Sequence, residues 1–467
     1  MKKNLYCFLI LLLVCLACNK NKLQVNNDLP EFDSTQTISI DSSIYKKYFF
    51  NCQEGDTIFN VQYIEGYSDK ISYFPSETIN LYIHSKSKTF KMELYRFGKT
   101  IQLIDSRFSD NGIEQHLPCH TYKNGCAWKS TESYKLPDFL KSGLYSFKLI
   151  EENGIESWIT FIVKKQPKAD ILVLASTNTW QAYNRRGRAS YYYNQVDPSS
   201  GKNADVVSFN RPNSSDKPIV EDANRTVIHL ADAEAYLTKW LESNEYDYEM
   251  ISDEDLHSNS YILSNYKVLI IHTHPEYWTE NMRSNLETFL AFGGNLLYLG
   301  GNGIYWKVVY NSINRTMEVR VDHKRHKFDF TQGGLWKSLE KPASQLLGIS
   351  YTNSGIGTYA PYKVFDESHW IFQGTNLKKD DLFAENCEYC EGGSGHETDK
   401  PDGSSPKMDT LAIGTNPNNG GAYMVYFKDT ATNSQVFSVG SITFTRTLMV
   451  DQNCSRITKN VLDEFLK

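Results

Sequence analysis

The chain has 467 residues, enough for two or three domains with sizeable cores. Its net charge of -6 offers no electrostatic footing for nucleic acid as a partner. Aromatic residues make up 13% of the chain, with 30 tyrosines, a composition that suits sugar-binding clefts and hard-metal sites alike.

Lys2 and Lys3 precede the apolar run Leu5 to Leu16, which is followed by Ala17, Cys18, Asn19 and Lys20. A basic start, a short apolar core and a small residue before the break describe a secretory signal. Leu16-Ala17-Cys18 resembles the lipobox of bacterial lipoproteins, with Cys15 a mild departure from the usual aliphatic residue, so Cys18 is expected to carry lipid. The apolar run is too short for a comfortable membrane span. The following polar stretch, Asn19 to Gln36, reads as a tether. The expected place is the bacterial cell envelope, periplasmic or surface-exposed, with the membrane reached through the lipid. Of nine cysteines, Cys7 and Cys15 leave with the signal. Cys52, Cys119, Cys126, Cys387, Cys390 and Cys454 are an even set suited to an oxidising compartment. Cys119 with Cys126 and Cys387 with Cys390 are the local disulfide candidates. Cys387-Glu388-Tyr389-Cys390 is alternatively half a zinc site, although a second such pair is missing.

From about Tyr45 to Val163 the pattern is all β. Leu81 and Ile83, then Met92 and Leu94, alternate with polar residues. Ser142 to Leu149 forms another such run, and Asn153-Gly154 is a hairpin signal before Trp158 to Val163. Short strands with turns between them predict an immunoglobulin-like sandwich over 45–165. No catalytic constellation is visible in it.

Gln166-Pro167-Lys168 marks a boundary, after which strands and helices alternate. Asp170 to Ala175 reads as a buried strand, Ala233 to Leu241 as a helix and Tyr248 to Ile251 as the next strand. Val268 to Ile271 is a further buried strand. Thr279 can cap a helix whose Met282, Leu286, Phe289 and Leu290 share a face. Gly293 and Gly294 stop it, and Leu296 to Leu299 is another strand. Ala422 to Phe427 and Val436 to Val439 are β-rich, and the closing helix puts Ile457, Val461, Leu462, Phe465 and Leu466 on one side. The alternation predicts an α/β fold over 166–467, a doubly wound, mostly parallel sheet with right-handed crossovers.

Ligands of such sheets sit beyond the carboxyl ends of the strands. His272, His274 and Glu276 follow one strand, Asn302 follows another, and Tyr183 and the trio Tyr191, Tyr192 and Tyr193 follow a third. His274, Glu276 and Asn302 are expected to converge on one cleft, with the tyrosines on the same edge. Taken singly, each tyrosine also fits a packing role at the sheet edge. Ser394 to Asp399 is a glycine-rich loop carrying Glu397, either a polar surface loop or a mobile loop with a general base. There is no GxSxG elbow, no Walker loop and no HExxH. Gly300-Gly301-Asn302-Gly303 lacks both the lysine of a phosphate cradle and the cysteine of a nucleophile elbow.

Three ordered motifs, Thr177 to Asn184, His274-Pro275-Glu276-Tyr277-Trp278 and Leu299 to Gly303, resemble the C-terminal domain of the N,N-dimethylformamidase large subunit. Gln332 to Trp336 and the closing Gly440-Ser441-Ile442 with Leu448 and Asp451 fit as well, so the resemblance covers about Pro167 to Lys467. It implies an amidohydrolase on a glutaminase-like (class I glutamine amidotransferase-like) α/β fold, holding one ferric iron through two tyrosines and a glutamate. Residue by residue, the glutamate is Glu276, one tyrosine is Tyr183, and the other is Tyr192, with the register among Tyr191, Tyr192 and Tyr193 open. His274 and Asn302 match groups that contact substrate or its oxyanion, and Glu397 matches a second acid. The implied partner is a small-molecule amide. The family's large subunit carries a further N-terminal domain and works with a small subunit; neither is visible in this sequence, and a homo-oligomer is left open. The alternative is a non-catalytic, ligand- or carbohydrate-binding surface lipoprotein that retains the fold.

Overall fold

A computed structural model describes residues 57–61, 63–195, 202–213, 217–220 and 228–467. The signal, Cys18, the tether and Cys52 lie outside the described residues.

Branched apolar runs form the middle of the molecule. Ile171–Ala175 (β1), Tyr248–Ser252 (β2), Val268–Thr273 (β3) and Asn295–Gly300 (β4) lie side by side in parallel, in the order β2-β1-β3-β4. Both their faces are covered, which is why they read as unbroken apolar runs. Ala231–Ser243 (α1) covers one face, packing Leu237, Trp240 and Leu241 against Val173 and Ile270. Glu280–Ala291 (α2) covers the other with Met282, Leu286 and Phe289. The Thr279 side chain accepts the Met282 N–H at its start, and Gly293 at φ 85 follows its end.

The expectation of a doubly wound, glutamine amidotransferase-like parallel sheet is corrected by the second half of this sheet. Tyr362–Val364 (β5), Leu382–Phe383 (β6), Asp409–Gly414 (β7), Tyr423–Lys428 (β8) and Gln435–Ser438 (β9) extend it to nine strands, ordered β2-β1-β3-β4-β9-β8-β7-β5-β6. Only β9 pairs in parallel, with β4; every pairing beyond it is antiparallel. The reason is connection length. Parallel neighbours need a crossover of about a dozen residues or more. Only residues 415–422 join β7 to β8 and only 429–434 join β8 to β9, so each pair folds as a hairpin. The chain as a whole is β-rich, with mixed and antiparallel sheets. Gln452–Phe465 (α3) closes it, capped by Asp451, and packs Ile457, Val461, Leu462 and Phe465 beside α1.

Ahead of β1, a three-stranded sheet (Glu65–Ser68, Thr78–His84, Glu132–Lys135) faces a five-stranded one that includes Phe90–Phe97, Gly143–Glu151 and Glu156–Val163. Ile79, Leu81, Phe147 and Phe161 fill the space between them. The outer face of the larger sheet is not free. Phe97, Leu144, Trp158 and Ile162 share one cluster with Ile171, Trp240 and Leu241. The buried Arg96 pairs with Glu242 of α1 at 2.5 Å. A further five-stranded sheet is built from Val206–Ser208, Tyr277–Trp278, Trp306–Asn311, Thr316–Val319 and Gly334–Leu335. Among the described residues no helix is long and apolar enough to cross a membrane.

Glu242→Ala leaves Arg96 buried without its counter-charge, a loss of about 3–5 kcal/mol. Both layers should then melt together at a lower temperature in calorimetry; two separated transitions would show that the interface does not couple them.

Candidate active site

The site begins where β3 runs out. Thr273 takes φ 59, a left-handed conformation that a β-branched residue rarely adopts. The chain turns there and presents His274 and Glu276. Thr177–Tyr183, the helix after β1, fixes that turn: the Thr179 hydroxyl donates to the His274 carbonyl at 2.7 Å and accepts the Glu276 N–H at 3.2 Å.

Glu276 is 1% exposed and is met by both expected tyrosines. The Tyr192 hydroxyl lies 2.6 Å from Oε1 and 2.7 Å from Oε2, and the Tyr183 hydroxyl lies 3.4 Å from Oε2. Their rings stack at 4.2 Å. The neighbouring tyrosines go elsewhere. Tyr191 donates its hydroxyl to the Met317 carbonyl at 2.7 Å, and Tyr193 lies under the Arg185 guanidinium. Arg211 anchors the segment that makes this choice. It is fully buried and donates to the carbonyls of Gln181, Arg186, Ala189 and Ser208, tying the end of the Tyr183 helix to the loop that carries Tyr192.

The opposite wall comes from β4 and the loop at Glu397. Asn302, at φ 53, donates Nδ2 to Glu397 Oε2 at 2.6 Å. His274 Nε2 bridges the two acids, 3.2 Å from Glu397 Oε2 and 3.4 Å from Glu276 Oε2. Asp399 accepts the Asn302 N–H at 2.8 Å and the Tyr298 hydroxyl at 2.7 Å. A Cβ on Gly301 would stand 2.5 Å from the Glu397 carbonyl, so that strand end must be glycine for the loop to close on it.

All six candidates, Tyr183, Tyr192, Glu276, His274, Asn302 and Glu397, are therefore brought together. His272 is not with them: it points into the sheet layer and pairs with Glu234 at 2.8 Å. Sequence reasoning missed three groups. Tyr277 donates its hydroxyl to that of Tyr192 at 2.5 Å. His229 Nδ1 lies 2.8 Å from His274 Nδ1. His396 lies beside His229, with ring centroids 5.2 Å apart. Tyr277 lies inside the His274 to Trp278 motif without a role of its own in it, and His229 belongs to no motif.

Burial pushes the Tyr183 and Tyr192 hydroxyls well above their usual range, and the Glu276 charge adds to it. Burial alone would raise Glu397, but the hydrogen bond and charge of His274, with help from His396 and Asn302, hold it at about 2. Burial alone would lower His274; the bond and charge of Glu397, then Glu276 and Asp399, keep it above the ordinary imidazole value. His274 and Glu397 thus form an ion pair whose charge is internal to the site.

Cys387 and Cys390 are joined in a disulfide, which removes the half zinc site. The Cys119–Cys126 pairing is not formed: Cys119 is disulfide-bonded, but Cys126 is a free thiol. Cys126 is buried among Val61, Tyr67, Leu117 and Trp128, where a packed apolar setting holds it as a thiol.

The family described as N,N-dimethylformamidase beta subunit-like, C-terminal, matches residues 92–456. The chain belongs to this family. Two relatives, each named N,N-dimethylformamidase beta subunit, come from Paracoccus aminophilus and an Alcaligenes species, at 26% and 25% identity. Each match covers 73% of this chain and 55% of the relative, so the chain spans little more than half the length of the relatives it matches. A solved structure, the mmIFT52 N-terminal domain, matches 48% of this chain and 87% of its own at 14% identity, with a TM-score of 0.28, too low to carry an argument. Family membership thus rests on the stretch that holds every site residue.

Arg211→Met removes a cation that four backbone carbonyls share, a loss of roughly 2–4 kcal/mol. The loop with Tyr192 should open, and trypsin should cut at Arg185, Arg186 or Arg188 well before it cuts the parent protein. An unchanged digestion pattern would show that the loop is held by other contacts.

Proposed function

We propose that this chain is the catalytic part of an iron-dependent amidohydrolase that cleaves the C–N bond of a small amide. The observation that carries this reading is the convergence of three hard oxygen donors, with the Tyr192 and Tyr183 hydroxyls 2.6 and 3.4 Å from the Glu276 carboxylate. The set fits a hard trivalent cation: burial disfavours two phenolates beside a carboxylate unless a cation neutralises them, and oxygen donors suit ferric iron. When bound, the iron would act as a Lewis acid on the amide carbonyl. The activity itself comes to this chain by analogy with its relatives, which are named as beta subunits. Assembly with further chains belongs to the same proposal, as does anchoring in the envelope through a lipid on Cys18.

The chain's own groups divide the remaining work. Asn302 Nδ2 donates to Glu397 and His274 Nε2 lies 3.2 Å from it, and both are placed to turn to the oxygen of a tetrahedral intermediate as its charge develops. That transfer has a second effect. With both donors on it Glu397 is a weak base; losing them to the oxyanion frees its carboxylate to take the proton of the attacking water. The same proton then goes to the departing nitrogen, so one water yields a carboxylic acid and an amine. His229 keeps the His274 ring in place through the Nδ1 contact at 2.8 Å.

Phenolate bound to ferric iron absorbs visible light by charge transfer from ligand to metal. The protein reconstituted with ferrous iron in air should be tinted. Tyr183→Phe and Tyr192→Phe should each shift or weaken the band, while Tyr191→Phe and Tyr193→Phe leave it nearly unchanged. Glu276→Gln should lose the iron with its fold intact, read by metal analysis beside far-ultraviolet circular dichroism. A colourless, iron-free parent protein would sink the metal assignment and leave a ligand-binding role as the better reading.

Asn302→Ala should lower kcat by roughly a hundredfold or more with little change in iron content. An unchanged kcat would remove Asn302 from the oxyanion contact. Cys18→Ala should move the protein from the membrane pellet to the soluble fraction of a bacterial host; retention in the pellet would remove the lipid anchor.

A further inference from the structure

Arg446 lies in the turn Phe444–Thr447, which packs at the ends of β3 and β4 and against α1. It is 1% exposed. Its Nε donates to the Glu388 carbonyl, and the Glu388 N–H donates back to the Arg446 carbonyl at 3.1 Å. Glu388 sits in the loop closed by the Cys387–Cys390 disulfide, so a covalent ring holds the base of this side chain. Its working end is different. Among the described residues, Nη1 and Nη2 are buried and have no hydrogen-bond partner. The two nearby acids are occupied: Asp232 accepts the Leu230 N–H at 3.0 Å and Glu388 pairs with Lys239 at 3.7 Å.

A guanidinium buried with four N–H bonds unmade carries a cost that the Nε bond and the nearby charges of Asp232 and Glu388 return only in part. Such groups persist where a partner arrives later, and the fork geometry of arginine matches a carboxylate in two parallel bonds. The position says what would bring it. Arg446 lies within electrostatic reach of Tyr236, Tyr359 and His396. The Tyr359 hydroxyl lies 3.4 Å from His396 Nδ1, His396 lies tilted beside His229, and His229 touches His274. A short row of side chains therefore leads from the reacting centre towards this cation.

We propose that Arg446 is a specificity-determining residue that binds a carboxylate carried by the substrate. The substrate class is then a small amide with a carboxylate at its far end. The amide faces Glu397 and His274, and the anion replaces the bonds Arg446 lacks. This rests on the amidohydrolase reading for the role of the site, but not for the binding itself. A neutral amide of the same size leaves the guanidinium unpaired and is rejected for that reason.

The test uses the full-length, iron-reconstituted protein and two probes that differ only at one end, succinamate and its neutral isostere succinamide. Calorimetric titration should show succinamate binding roughly 30-fold more tightly or better. Arg446→Met should bring that ratio close to one, and Arg446→Gln supplies the same reading should the first variant fail to fold. Without ligand, either variant should melt close to the parent, since the side chain it removes gives up only the Nε bond to the Glu388 carbonyl. Equal binding of the two probes by the parent protein, a preference that survives both substitutions, or variants that melt well below the parent would each overturn the proposal, the last by making Arg446 a structural residue. Ammonia release is scored separately. Discrimination without hydrolysis of either probe would keep the anion site and remove amide hydrolysis of these probes, so the two readings fail independently.

Discussion

A carboxylate that is 1% exposed must be matched by donors or a cation, and the rest of this molecule is arranged to meet that demand at Glu276. Its two oxygens take the hydroxyl of Tyr192, the hydroxyl of Tyr183 and the approach of His274. Each of these comes from a different piece of chain. Glu276 and His274 follow β3, Tyr183 ends the helix after β1, and Tyr192 belongs to a loop tied to that helix by Arg211 and by the Tyr191 N–H on the Ala182 carbonyl. The parallel half of the sheet is needed because it puts β1, β3 and β4 in adjacent register, so their ends open on one edge.

Strain collects at the same edge. Thr273, Asn302 and His396 all take left-handed backbone conformations without being glycine. Each costs of order 1–3 kcal/mol and survives because packing over-determines it. Gly301 is the counterpart, the place where no side chain fits between β4 and the Glu397 loop. The stability needed to hold these residues comes from the fused layers. The cluster that holds Trp158 and Leu144 of the front sheets also holds Trp240 and Val173 of the central sheet. The site is thus braced from behind by both.

Much of the candidate site was legible before any coordinates. His274, Glu276 and Asn302 lie directly after buried apolar runs, and strand ends are where ligands meet open sheets. Two further placements rested on the family's ordered motifs, not on periodicity: Glu397 and the choice of Tyr192 among three neighbours. His229 escaped both routes. It is an isolated histidine distant in sequence, and only the fold brings its Nδ1 to His274. The cysteine pairing failed for a similar reason. Cys119 and Cys126 are close in sequence, but Cys126 turns into an apolar cluster, and proximity along the chain says nothing of which way a side chain faces.

Local chemistry alone determined the buried strands, the cap at Thr279, the stop at Gly293 and the polar strand ends, because those depend on side chains a few residues apart. The tertiary structure decided whatever depends on which segments become neighbours. It made the second half of the sheet antiparallel, since the short connections around β8 return the chain directly beside itself. It turned Tyr192 and not Tyr191 towards Glu276, since Arg211 and the Met317 carbonyl hold that loop in one register. It also left Arg446 buried with Nη1 and Nη2 unpartnered among the described residues, which no reading of the chain in one dimension could foresee, because an unmet bond is a property of the surroundings and not of the residue.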